Sequence, residues 1–299
     1  MTITTGKQLS GTGKLTQKTR RQAIWMVLPA IIYLLVIGIF PLLFALYLIV
    51  HKWVLSSGKP PQFIGFGNII RLIQDERFFI ALGRTVAFAV GVVTIEFLLG
   101  LLIALLLLNH GRMLLRTFVL LPMIIAPTVV GLTWRFMFNS EIGVLNFFFD
   151  IMGLESPLWL GDTTIAKFSI VLVDVWEWTP FIILILLAGL MSLPPDVEEA
   201  AHVDGANYWQ MLWYVKLPLL RPAIFVALMF RAIDALRTFD TIFVLTAGGP
   251  NNVTELLSIY AYKVSFRFFE MGYGTVLAAV LLIIVLLFSR LLVPILEKR

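Results

Sequence analysis

Residues 192–222 read SLPPDVEEAAHVDGANYWQMLWYVKLPLLRP, a polar stretch between two long apolar runs, and that contrast decides the fold. The flanking runs, 165–192 and 219–246, are each long enough to cross about 30 Å of hydrocarbon, which takes about 20 helical residues. Runs of the same kind lie at 23–50, 79–108, 114–138 and 272–295. All are too long for barrel strands, which alternate over about 10 residues. The expectation is therefore an all-α integral membrane protein with about six transmembrane helices. Within the stretch, Pro194 and Pro195 stop the preceding helix and Asp196 offers an N-cap for a short helix over 197–204. Gly205 permits a sharp bend. A second, amphipathic helix follows with Tyr208, Trp209, Met211, Leu212, Trp213 and Tyr214, and Lys216-Leu217-Pro218 returns the chain to the membrane. Aromatic side chains displayed beside a membrane fit a protein interface or a helix lying among lipid headgroups.

Composition agrees with the spans. Of 299 residues, 60% are hydrophobic and 14% charged, against about 25% charged in a soluble domain, so the chain has too little polar surface to cover itself. With no cysteine and three scattered histidines, no metal-ligand cluster is in prospect. No Ser/His/Asp arrangement points to catalysis either. The net charge of +5 is spread over the ends of the apolar runs rather than along one face, which argues against a nucleic-acid partner. Lys7, Lys14, Lys18, Arg20 and Arg21 precede the first run, Arg112 and Arg116 follow the second, and Lys298 and Arg299 end the chain. Segment 139–164 holds Glu141, Asp150, Glu155 and Asp162 and no Lys or Arg. The loops around 51–77 and 248–271 also hold basic residues, so the bias is imperfect, and the positive-inside rule puts both termini and the 192–222 loop in the cytoplasm. The organisation expected is a cytoplasmic tail over 1–22 and a transmembrane domain over 23–299, with its cytoplasmic loop at 194–218. Pro41, Pro122, Pro127 and Pro180 fall inside runs and should kink them.

Glu199-Ala200-Ala201, then Asp204-Gly205, then Leu217-Pro218 resembles the EAA loop of permeases from binding-protein-dependent ABC importers. Phe63-Ile64-Gly65-Phe66-Gly67-Asn68 and the segment from Asp240 through Pro250 (DTIFVLTAGGP) resemble the carbohydrate branch of that family, the maltose and glycerol-phosphate type, and within it the subunit that pairs with a second permease. The resemblance covers roughly 20–299 and implies the type I permease fold in the cell membrane. It also implies a heteromeric assembly: a second homologous permease, two ATPase subunits holding ATP and magnesium, and an extracytoplasmic solute-binding protein that delivers a sugar. Glu199, Ala200, Ala201, Asp204, Gly205, Leu217 and Pro218 would form the loop that couples to the ATPase. The chain lacks a phosphate-binding G-x-x-x-x-G-K-[ST] motif, since Gly13-Lys14 has neither the earlier glycine nor the following hydroxyl. No cofactor of its own is therefore expected. Two rival substrates or mechanisms stay open at this point: a phosphorylated polyol such as glycerol phosphate, and an ion-coupled secondary transporter, which would carry internal repeats.

Ionisable residues at membrane depth cost about 2.5–3.5 kcal/mol or more each. Glu96 reads as structural. Asp174, Glu177, Trp178 and Phe181 share one helical stripe, and Arg231, Asp234, Ala235 and Thr238 share another. The family resemblance places sugar contacts at positions matching Glu177, Trp178, Phe181, Arg231, Ala235 and Thr238, so Asp174, Glu177, Trp178, Phe181, Arg231, Asp234 and Thr238 are the candidate substrate pathway. The competing reading makes Arg231–Asp234 and Arg237–Asp240 internal ion pairs.

Overall fold

The computed structural model describes residues 17–110 and 113–297. The basic residues Lys7, Lys14, Arg112, Lys298 and Arg299 lie outside the described residues, as does most of the 1–22 tail. The chain forms two units, 1–48 and 49–299. In the first, α1 (Gln17–Leu34) passes through a π turn at Leu35–Ile39 into α2 (Phe40–Ile49). The wide turn sits just ahead of Pro41, whose missing N–H cannot close the regular ladder. Its apolar side chains, Trp25, Tyr33 and Phe40 among them, are exposed, as a lipid-facing helix requires.

The second unit opens with a hairpin, β1 (His51–Lys52) against β2 (Gln62–Phe63), and a short α3 (Gly67–Gln74). Buried Asn68 donates to the Ile49 and His51 carbonyls at 2.9 and 3.0 Å, which ties the Phe63–Asn68 motif to the hairpin base. Then come α4 (Glu76–His110), α5 (Met113–Leu120), α6 (Pro127–Met137), α7 (Val144–Ile151) and α8 (Ile165–Met191). The 192–222 loop supplies α9 (Pro195–Val203) and α10 (Tyr208–Gln210). Finally α11 (Leu217–Arg237), α12 (Asp240–Thr246), α13 (Leu257–Tyr262) and α14 (Met271–Glu297) complete the chain.

Among the described residues, four helices are long and apolar enough to cross a membrane: Ile24–Ile49, Glu76–Leu108, Ile165–Met191 and Met271–Leu291. The other two runs expected to span are interrupted. The run 114–138 breaks into α5, a 3-10 turn at Pro122–Ile124 and α6, because Pro122 and Pro127 each withhold a donor and Pro127 pushes Ala126 to extended backbone (ψ 134°). The run 219–246 breaks at Thr238 and Phe239 between α11 and α12. Pro180 lies inside an unbroken α8.

Helices α4, α8 and α11 pack on one another, and α12 packs on α6. Close approach needs small residues at the crossings. A Cβ on Gly189 would meet Leu220 and Ala223 at 2.7 and 2.8 Å, and one on Gly131 would meet the Thr241 carbonyl at 2.9 Å. Apolar side chains fill one end of the bundle around Ile182, Leu186 and Leu220, and the other end around Phe88, Val173 and Ile242. The charged residues sit between these two layers.

Candidate substrate cavity and coupling loop

Glu96 on α4, Asp174 and Glu177 on α8, and Arg231 on α11 are each exposed by 1% or less. Arg231 organises them. Its Nε and Nη2 donate to the two Glu96 carboxylate oxygens at 2.7 and 2.9 Å, a bidentate fork. Nη2 also bonds Asp174, and Nη1 reaches Asp234 at 3.4 Å. The guanidinium lies 5.3 Å from the centre of the Trp178 ring. One cation thus ties three helices together, and Glu96, read as structural, is its main partner. Arg237 donates to Asp234 at 3.0 and 3.2 Å rather than to Asp240. The Arg237–Asp240 pair of the competing reading is replaced because Thr238 is extended (ψ 130°), which takes Asp240 out of helical phase with Arg237.

Beside the cluster lies a cavity of about 310 Å³ lined by Pro127, Trp178, Asp234, Arg237, Thr238, Phe239, Asp240 and Thr241. Three of the residues singled out from sequence, Trp178, Asp234 and Thr238, line it. Asp174, Glu177 and Arg231 stand behind its wall in the buried core. Phe181 packs edge-on against Trp178, ring centres 6.5 Å apart, and is not part of the lining. Pro127, Phe239 and Thr241 were missed. They sit at the two helix breaks, where backbone freed from the ladder must face a partner or a cavity, so the prolines and the polar Thr238–Thr241 run were the available signal.

The 192–222 loop follows the expected path with local differences. Pro194 takes the N-cap position of α9 and Asp196 falls inside the first turn, since two successive prolines already set the extended entry and first helical turn. Gly205 has φ +79°, the left-handed conformation that ends a helix. Asn207 caps the next helix in a reciprocal pair with Gln210, both bonds 2.9 Å. That helix runs through a π turn at Met211–Lys216 directly into α11, again just ahead of a proline, Pro218. Lys216 pairs with Glu198 of α9 at 2.9 Å. Glu199, Ala200, Asp204 and Gly205 are exposed, while Ala201, Leu217 and Pro218 are half-buried. Val203, Trp209, Trp213 and Tyr214 are 62–88% exposed, a large apolar surface for a short loop.

At the opposite end, Glu255 is fully buried between Arg77 (2.7 and 2.8 Å) and Lys263 (2.5 Å). Burial works to raise its carboxyl, but these two cations hold it below the usual carboxylate range. Burial likewise works against the Asp75 carboxylate. The hydroxyls of Tyr260 (2.6 Å) and Tyr273 and the amides of Phe78 and Arg77 outweigh it and keep this group low as well.

Residues 96–299 match the family model described as "Binding-protein-dependent transport system inner membrane component". The trehalose/maltose transport system permease protein MalF of Thermococcus litoralis is 36% identical over 280 residues, covering 93% of this chain and 94% of its own. The trehalose transport system permease protein SugA of Mycobacterium tuberculosis is 38% identical over 266 residues, 88% of this chain and 84% of its own. In three dimensions the chain resembles a permease from a bacterial alginate ABC transporter crystallised with an alginate-bound periplasmic protein, with a TM-score of 0.79, 24% identity and 94% and 96% coverage. That likeness concerns the fold and agrees with the type I permease architecture expected from the sequence. This multi-pass chain, with its interrupted helices around a polar cavity and its exposed 192–222 loop, belongs to the family of binding-protein-dependent transport system inner membrane components.

Proposed function

We propose that this chain is the membrane-spanning subunit of an ATP-driven importer for a carbohydrate, and that the sugar passes through the cavity beside Trp178. A solute-binding protein would deliver the sugar from outside. A second homologous permease would close the pathway, and two ATPase subunits would hold ATP and magnesium and dock on the exposed loop around Glu199 and Gly205. Both termini would lie in the cytoplasm. Trehalose and maltose carriers are among the relatives, which supports a carbohydrate substrate.

The observation that carries this reading is the cavity wall itself. It joins an aromatic face, Trp178, to hydrogen-bonding groups from Thr238, Thr241 and two carboxylates, Asp234 and Asp240. Sugars present hydroxyls and C–H faces that such a wall can bind. The same wall disfavours a polyol phosphate. Arg231, the residue that would suit a phosphate, is buried and bonded to Glu96, Asp174 and Asp234, and the two lining carboxylates face one lining cation, Arg237. An ion-coupled mechanism has no support from the family.

The test is uptake and ATP turnover measured together in vesicles reconstituted with the whole complex. Trp178→Ala should cut sugar uptake by about tenfold or more while ATP turnover persists, and Thr238→Ala should do so to a lesser degree. Normal import of every tested sugar by both variants would move the pathway elsewhere.

A further inference from the structure

Glu177 is the one acid of the cluster for which the structure gives no ion pair. It is 1% exposed, its Oε1 has no hydrogen-bond partner, and its Oε2 lies 3.1 Å from the Thr241 hydroxyl. That hydroxyl also lies 3.3 Å from the Pro127 carbonyl oxygen. A threonine hydroxyl carries a single proton and cannot donate to both oxygens. With Glu177 ionised, one of the two contacts would be acceptor against acceptor. With a proton on Oε2, the chain closes: Glu177 donates to Thr241, and Thr241 donates to Pro127.

The surrounding charges agree. Asp174 on the same helix, Asp234 on α11 and Glu96 on α4 are carboxylates, and Asp240 lines the cavity. The nearby cation, Arg231, is shared among Glu96, Asp174 and Asp234, and Arg237 is paired with Asp234. A further unpaired negative charge buried here would be costly, whereas a neutral acid leaves only a carbonyl-like oxygen unsatisfied. Pro127 and Thr241 both line the cavity, at the two helix breaks, and Glu177 joins them from behind.

We propose that Glu177 is held as a neutral carboxylic acid that positions the Pro127–Thr241 wall of the cavity without touching the sugar. It is a positioning residue, and its role rests on the cavity being the sugar path. The hydrogen-bonded chain also fixes α8 against both interrupted helices, so the wall keeps its shape although neither break has a regular backbone ladder.

The test uses the assembled complex in lipid, as wild type, Glu177→Gln, Glu177→Ala and Thr241→Val. The infrared difference spectrum, wild type minus Glu177→Gln, should contain the C=O stretch of a protonated carboxylic acid at neutral pH, a readout that needs no sugar. In uptake assays Glu177→Ala should raise KM for the sugar by about tenfold with a smaller change in kcat, since Thr241 loses the donor that ties it to α8. Glu177→Gln, whose amide can donate to Thr241 as the acid does, should restore the KM lost in Glu177→Ala. Thr241→Val should resemble Glu177→Ala. Absence of the acid band, or a Glu177→Gln variant as impaired as Glu177→Ala, would overturn the proposal. Should the alanine variant fail to assemble, the spectrum and the glutamine variant still decide. If wild-type complex imports no sugar at all, the substrate reading falls while the spectrum still reports the proton.

Discussion

Two ion-pair systems among the described residues have opposite character, one in the bundle and one in the 192–222 loop. Arg231 pairs with residues 135 and 57 positions away in sequence, on two other helices, and all the atoms involved are buried. Lys216 pairs with Glu198 within one loop, and both side chains keep some exposure, 14% and 31%. The chemistry is the same and the environment is not. In the bundle a lost partner strands a charge in low dielectric, whereas at the loop water replaces it. Buried pairs therefore fix architecture, and exposed ones tune it.

The largest effect should come from Arg231. Replacing it with alanine leaves Glu96 and Asp174 buried without a cation, a cost of about 3–5 kcal/mol. The variant should be recovered in the membrane at much lower yield. Arg231→Lys should rescue little, because an ammonium cannot make the two-point fork to Glu96. Normal yield and melting temperature for both variants would erase the contrast with the loop.

Next comes Gly205. Space around it is open, with nothing within 4 Å of an added Cβ, so a substitution acts through its φ of +79° alone. Valine there costs about 1–3 kcal/mol of local strain. Gly205→Val should insert normally yet lose coupling, read as sugar imported per ATP hydrolysed. An unchanged ratio would show that the bend is not needed for ATPase contact.

A smaller effect is expected at Lys216. A pair that water still reaches is worth about 0.2–1 kcal/mol, so Lys216→Glu should lower the melting temperature only slightly. The double variant Glu198→Lys with Lys216→Glu should recover what the single one loses. A loss as large as that of Arg231→Ala would place the loop pair in the same class as the buried one.

The smallest effect concerns pH at Asp75 and Glu255. Asp75 and Glu255 have folded-state values below their ordinary ones, so their contribution is present above the ordinary carboxylate pKa, about 4. It is lost as pH falls through the lower folded values. Thermal stability of the purified complex should therefore decline on that acid side, and Asp75→Asn should make the decline shallower. An identical acid limb in the variant would remove Asp75 from the account.

The sequence by itself determined the membrane class, the approximate positions of four spanning helices, the loop with its Gly205 bend, and the membership suggested by Glu199–Pro218. These depend on run length, proline and glycine geometry and local spacing, which act within a few residues. It also marked Trp178, Asp234 and Thr238, because helical phase is a local property. Only the tertiary structure decided that Arg231 faces Glu96 rather than the cavity, that Arg237 turns back to Asp234, and that Pro127 and Thr241 share a wall with Trp178. Those outcomes depend on which helices touch and where two of them break. Spacing along one helix says which residues share a face, and packing alone says what that face meets.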